Sequence, residues 1–124
     1  MTKSVLVVED SDETRVMLAR MLHGEGYKPV EARNGVEALE KVDELCPDLI
    51  IMDLNMPHLD GLTTTERIRQ FRAKQAQVPI VAITAFDTFG MKEAALQAGC
   101  NEYLLKPLDL DQLGSVLRQH LGYV

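Results

Sequence analysis

The chain has 124 residues, of which 46% are hydrophobic and 26% charged, and its net charge is −6. One domain with a real core fits that length, and the balance excludes a disordered chain; no run reaches the roughly 18 apolar residues of a membrane span. The start Met-Thr-Lys-Ser enters an apolar run without a signal peptide, Cys46 and Cys100 lack disulfide-framework or zinc spacing, and the acidic balance argues against direct nucleic-acid binding. A cytoplasmic protein with two reduced thiols and no membrane contact is expected.

Residues 4–8 form a first apolar run that ends on Glu9 and Asp10. Thr14, Met17, Leu18, Met21 and Leu22 then recur at helical spacing, with Ser11 or Asp12 as N-cap and Gly24 and Gly26 as stops. Residues 27–32 predict a second strand, Asn34-Gly35 a turn, and Val36, Leu39, Val42 and Leu45 the apolar face of a second helix ended by Pro47. Leu49 to Met52, an isoleucine-rich run between Pro47 and Pro57, reads as a central strand buried on both faces and stopping at Asp53. Gly61 opens a third helix carrying Leu62, Ile68 and Phe71, and a polar loop from Ala73 to Gln77 leads to a fourth strand over 78–83, ending at Thr84. Residues 90–98 predict a fourth helix closed by Gly99, residues 101–105 a fifth strand, and Asp109 the cap of a last helix with Leu113, Val116, Leu117 and Leu121 inward. Five strands alternating with five helices imply right-handed crossovers and a parallel sheet covered on both faces.

The polar residues closing these runs share one edge of such a sheet: Glu9-Asp10, Asp53, Thr84 and Lys106-Pro107. Each has an ordinary explanation. Asp53 could open a turn, Glu9 and Asp10 could favour the following helix N-terminus, Thr84 could bond to backbone, and Lys106 could be solvated. Their joint placement, each at the end of a different apolar run, argues for a site in the crevice beyond the strand ends. Three converging carboxylates repel one another unless a cation intervenes. Mg2+, which takes oxygen ligands and keeps several waters, suits them, and a lysine and a hydroxyl beside it complete a site for a phosphoryl group.

With these residues the chain resembles the receiver domain of two-component response regulators over essentially all of residues 1–124, as a single receiver domain with no output domain. The motif Met-Asp-Leu-Asn-Met-Pro-x-x-Asp-Gly around Asp53, the acidic pair Glu9-Asp10, Thr84-Ala85 and Lys106-Pro107 carry that resemblance. It implies a flavodoxin-like α/β fold, doubly wound, with strand order 2-1-3-4-5. It also implies that Asp53 is the phosphoacceptor, taking its phosphoryl group from a sensor histidine kinase or a histidine phosphotransfer protein. Mg2+ would be held by Asp10, Asp53 and the backbone carbonyl of Asn55, with Glu9 reaching it through water; the longer side chain of a Glu in first place leaves that contact open. Lys106, before a cis Pro107, and Thr84 would bind phosphoryl oxygens. Tyr103 would be the switch aromatic, and Asn55 and Phe86 would tune the lifetime of the phosphorylated state.

The implied function is a phospho-dependent switch acting on a downstream protein, as a monomer or a weak phosphorylation-dependent dimer, and not a turnover enzyme. The sequence ends at Gly122-Tyr123-Val124 just after the last helix, as expected of either a stand-alone regulator or a receiver cut from a larger protein, and Met1 slightly favours the former. Two rivals are weaker. An aspartyl-phosphate phosphohydrolase needs a second Asp where this chain has Asn55, and an adaptor acting without phosphorylation has no need of Asp10, Asp53, Thr84 and Lys106 together. His23, His58 and His120 show no metal spacing, and the methionines read as core filler.

Overall fold

In the computed structural model, residues 2–71 and 73–122 are described; Met1, Arg72, Tyr123 and Val124 lie outside them. Five strands, β1 (Ser4–Val8), β2 (Lys28–Ala32), β3 (Leu49–Asp53), β4 (Ile80–Thr84) and β5 (Glu102–Leu105), pair in parallel in the order β2-β1-β3-β4-β5. Six helices connect or follow them among the described residues: α1 (Asp12–Gly24), α2 (Gly35–Leu45), α3 (Gly61–Ile68), α4 (Ala73–Ala76), α5 (Met91–Ala98) and α6 (Leu110–Leu121). No helix among the described residues is long and apolar enough to cross a membrane.

Side chains alternate across a pleated strand, and here the alternation sorts the core into two layers. Leu6, Val8, Ile50, Met52, Ile80 and Ala82 face α2, α3 and α5 through Ala38, Val42, Ile68 and Ala95. Val5, Val7, Leu49, Ile51, Val81 and Ile83 face α1 and α6 through Leu18, Leu22, Leu113, Val116 and Leu117. Strands β3 and β4 are buried along their whole length, which is why they read as continuous apolar runs.

The expected helix count of five is corrected to six, because the stretch read as a polar loop contains the single turn α4. Ala, Lys and Gln all favour helix, and the absence of an apolar face concealed a turn too short to need one. The inward face of α2 also differs: Ala38 and Val42 are buried, whereas Val36 is 56% and Leu45 50% exposed. A helix turns by about 100° per residue, so positions nine apart end about half a turn apart and cannot share a face. Phe71 lies beyond α3, which ends at Ile68, and packs partly buried against the same layer.

Two close approaches fix where the elements end. A Cβ on Gly61 would stand 2.3 Å from the carbonyl oxygen of Asp53 and 2.7 Å from Cα of Leu54, so the start of α3 lies against the end of β3. Asp60 caps that helix, its Oδ1 accepting the amide of Thr63 at 2.8 Å. At the opposite edge of the sheet, Arg69 donates to the carbonyls of Ala76 (2.9 Å), Val78 (2.7 Å) and Gly99 (2.6 Å) and to Oδ1 of Asn101 (3.0 Å). Asn101 Oδ1 in turn accepts the amide of Ile80 at 2.8 Å, so one guanidinium joins α3, α4, α5 and the first residue of β4.

Gly61→Ala is expected to lower stability by about 1–3 kcal/mol, because backbone must shift to admit the methyl group. Gly24→Ala, with nothing within 4 Å of its Cβ at the end of α1, is expected to be neutral or stabilising. Urea denaturation of the two variants should move the midpoint in opposite directions, or leave Gly24→Ala unmoved.

Candidate functional site

The strand ends deliver the expected residues to one place. Glu9 follows β1 and keeps the ladder contact of its amide to Ala32 O at 3.0 Å, which directs its side chain across the sheet edge. Asp53 closes β3, and both carboxylates are 1% exposed, whereas Asp10 is exposed. Ligand oxygens of Glu9, Asp10 and Asp53 all lie within 4.8 Å of one another. Lys106 reaches in from the end of β5, its Nζ 2.6 Å from Glu9 Oε1 and 3.6 Å from Asp53 Oδ2. Its amide donates to Thr84 O at 2.8 Å, and the Lys106–Pro107 peptide bond is cis as expected.

The single lysine is shared unequally, and the protonation follows. Burial disfavours the charge of Glu9, but Lys106 and the amide of Ser11, 3.1 Å from Oε2, outweigh it and hold Glu9 below its ordinary range. Burial likewise opposes the charge of Lys106, yet its two carboxylate neighbours hold its pKa above the usual lysine value. Asp53 is left with the weaker contact. Burial first, and the nearby Glu9 second, push it up to about 7 against the help of the Asn55 amide at 3.0 Å. A divalent cation among these oxygens would supply the compensation Asp53 lacks, so the donor set fits a hard metal ion.

Thr84 is fully buried at the end of β4. Its hydroxyl donates to the side-chain carbonyl of Asn55 and its oxygen accepts the amide of Phe86 at 3.0 Å. Phe86 itself is 59% exposed. Tyr103, half-buried in β5, packs its ring against the core layer of α5 and donates its hydroxyl to Asp87 Oδ1 at 3.2 Å. Thus Glu9, Asp10, Asp53 and Lys106 form one cluster, Thr84 and Asn55 a bonded pair beside it, and Phe86 and Tyr103 the loop side of the domain.

Two contributors were not anticipated. Arg15 is buried, donating through Nη1 to Glu9 O at 3.1 Å and through Nε to Glu31 Oε1 at 3.0 Å, so it fixes the backbone from which Glu9 projects. The signal was available: Arg15 stands three residues before Leu18 and seven before Leu22, on the buried face of α1. Asp87, the acceptor for Tyr103, had no such signal, because an acidic residue in a loop is ordinary.

Comparison with known proteins agrees with this geometry. The profile of the response regulator receiver domain matches residues 5–118. The polar-differentiation response regulator DivK of Brucella ovis is 34% identical over 122 residues, 98% of either chain. The structure of chemotaxis protein CheY4 of Vibrio cholerae superposes with a TM-score of 0.91 at 30% identity, covering 98% of this chain and 100% of that one. The receiver domain of sensor histidine kinase PA1611 from Pseudomonas aeruginosa, solved with magnesium coordinated in its active-site cleft, has a TM-score of 0.89 at 34% identity, covering 98% and 99%.

The raised Asp53 sets a pH dependence. The folded chain keeps its proton to about pH 7, whereas an unfolded aspartate releases it near its ordinary 3.8, so between these values the folded state binds more protons and stability falls as pH rises. In metal-free protein Asp53→Asn is therefore expected to be increasingly more stable than wild type from pH 4 to 7, by on the order of 3 kcal/mol, and constantly so above. Denaturation of both proteins across that range, without and then with Mg2+, checks this; the ion should narrow the gap. A gap that did not change with pH would refute the assigned protonation.

Proposed function

The chain belongs to the response regulator receiver domain family, and from that premise we propose that it is a phospho-dependent switch whose acceptor is Asp53. The observation that carries this reading is a buried carboxylate at the end of the central strand, flanked by Lys106 and by two further carboxylates. Receiver domains take phosphoryl groups from histidine kinases in two-component signalling, and a sensor histidine kinase or a histidine phosphotransfer protein is the proposed donor. An Asp53 carboxylate oxygen attacks the phosphorus of the donor phosphohistidine; the Asp53 O–P bond forms as the P–N bond breaks, leaving the donor imidazole free and an acyl phosphate on Asp53.

Asp10, Asp53 and the backbone carbonyl of Asn55 would hold Mg2+, with Glu9 in reach through water. When bound, the ion would neutralise charge on the transferring group and on the carboxylates. It would also let Asp53 react as the anion at neutral pH. Lys106, now 2.6 Å from Glu9, would turn part of its charge to a phosphoryl oxygen as a point charge. Thr84 would donate its hydroxyl to another oxygen, and Tyr103 would move into the space it leaves. The changed surface would then be that of α5, β5 and α6, where Leu96, Leu105 and Leu110 are exposed and a protein partner could read it. Asn55 and Phe86 flank the approach of water and would set the lifetime of the acyl phosphate.

With Mg2+ and a small phosphodonor, wild type should gain one hydroxylamine-labile phosphoryl group and Asp53→Asn none, as read by intact mass; equal labelling of the variant would refute the acceptor. Asp10→Ala should bind Mg2+ at least about tenfold more weakly by calorimetry. Thr84→Ala should still be phosphorylated, yet show smaller amide shifts over residues 84–106 than wild type.

A further inference from the structure

Thr84 has one hydroxyl proton, and a partner within the domain already holds it. The hydroxyl donates to Oδ1 of the exposed Asn55 while its oxygen accepts the Phe86 amide at 3.0 Å, and Thr84 itself is fully buried. Asn55 is positioned in turn by the acceptor carboxylate, since its amide donates to Asp53 Oδ1 at 3.0 Å. The peptide anchoring the Asn55 side chain and the group that would carry the phosphoryl are thus in direct contact.

We propose that the side chain of Asn55 is a latch that holds Thr84 in the resting arrangement and competes with an Asp53 phosphoryl group for the Thr84 proton. The inference rests on the reading of Thr84 as the group that engages the phosphoryl oxygen, and adds a named competitor and a direction. A neutral amide carbonyl is the weaker acceptor and an anionic phosphoryl oxygen the stronger, so the exchange favours the phosphorylated arrangement without abolishing the resting one. Asn55 is therefore a positioning residue for Thr84. The latch sets how much of the phosphoryl group's interaction is used to release Thr84 before any remains to stabilise the switched surface.

Removing the latch leaves no buried orphan. The Thr84 hydroxyl also lies 3.3 Å from Phe86 O, a longer and weaker acceptor to which it can turn when Asn55 is truncated. Asn55→Ala also keeps the backbone carbonyl assigned to Mg2+.

The test is a double-mutant cycle on the affinity for trifluoroberyllate with Mg2+, an acyl-phosphate mimic, followed by amide NMR. Asn55→Ala should bind the mimic about five- to tenfold more tightly than wild type, the size of one net hydrogen bond. In a Thr84→Ala background the same substitution should change nothing, and in a Thr84→Ser background, where the hydroxyl is kept, the gain should return. Equal affinity of wild type and Asn55→Ala, or an equal gain with and without the hydroxyl, would overturn the latch while leaving Asp53 as acceptor. Failure of wild type itself to bind the mimic would instead overturn the underlying switch reading, and the latch with it.

Discussion

The parallel sheet brings the ends of all its strands to one edge, and the sequence places carboxylates at two of them with a single lysine to balance the charge. That imbalance organises the rest of the site. Lys106 cannot serve Glu9 and Asp53 equally at 2.6 and 3.6 Å, so Glu9 is held below its ordinary range while burial and the nearby Glu9 push Asp53 above its own. Burying Asp53 at this edge costs stability, which the two apolar layers on either face of the sheet offset.

The site is therefore incomplete in a specific sense. Its donors are positioned by backbone, through the ladder contact of Glu9 to Ala32, the Arg15 bond to Glu9 O, and the Asn55 amide on Asp53. Positioning by main chain and buried arginine means that the oxygens would need little rearrangement to accept a cation.

Most of this was legible in the sequence, for a reason particular to doubly wound sheets. A strand buried on both faces is a continuous apolar run, so its last residue is marked by the first polar letter, and Glu9, Asp53 and Thr84 were found that way. Where the periodicity was weaker the reading failed. Spacing by threes in α2 suggested a face that Val36 and Leu45 do not share, and α4 lacked any apolar signature. The partners of the polar residues were not legible at all: that Thr84 bonds to Asn55 and Tyr103 to Asp87 depends on how loops from different strands meet, which no local pattern records.

The Arg69 cluster gives the domain a mechanical polarity. At the end of the sheet remote from Asp53, one half-buried guanidinium ties the start of β4 to the ends of α4 and α5. At the other end the segments after β4 and β5 are held by Thr84, bonded to Asn55 and the Phe86 amide, by Lys106, paired with Glu9 and Asp53, and by the bond of Tyr103 to Asp87. Helix α5 is thus anchored at its C-terminal end, where Arg69 holds the carbonyl of Gly99, while its N-cap Gly90 makes no side-chain cap hydrogen bond. The two ends of one helix are therefore held by unlike means, a guanidinium shared among several carbonyls at one and the helix's own backbone bonds at the other.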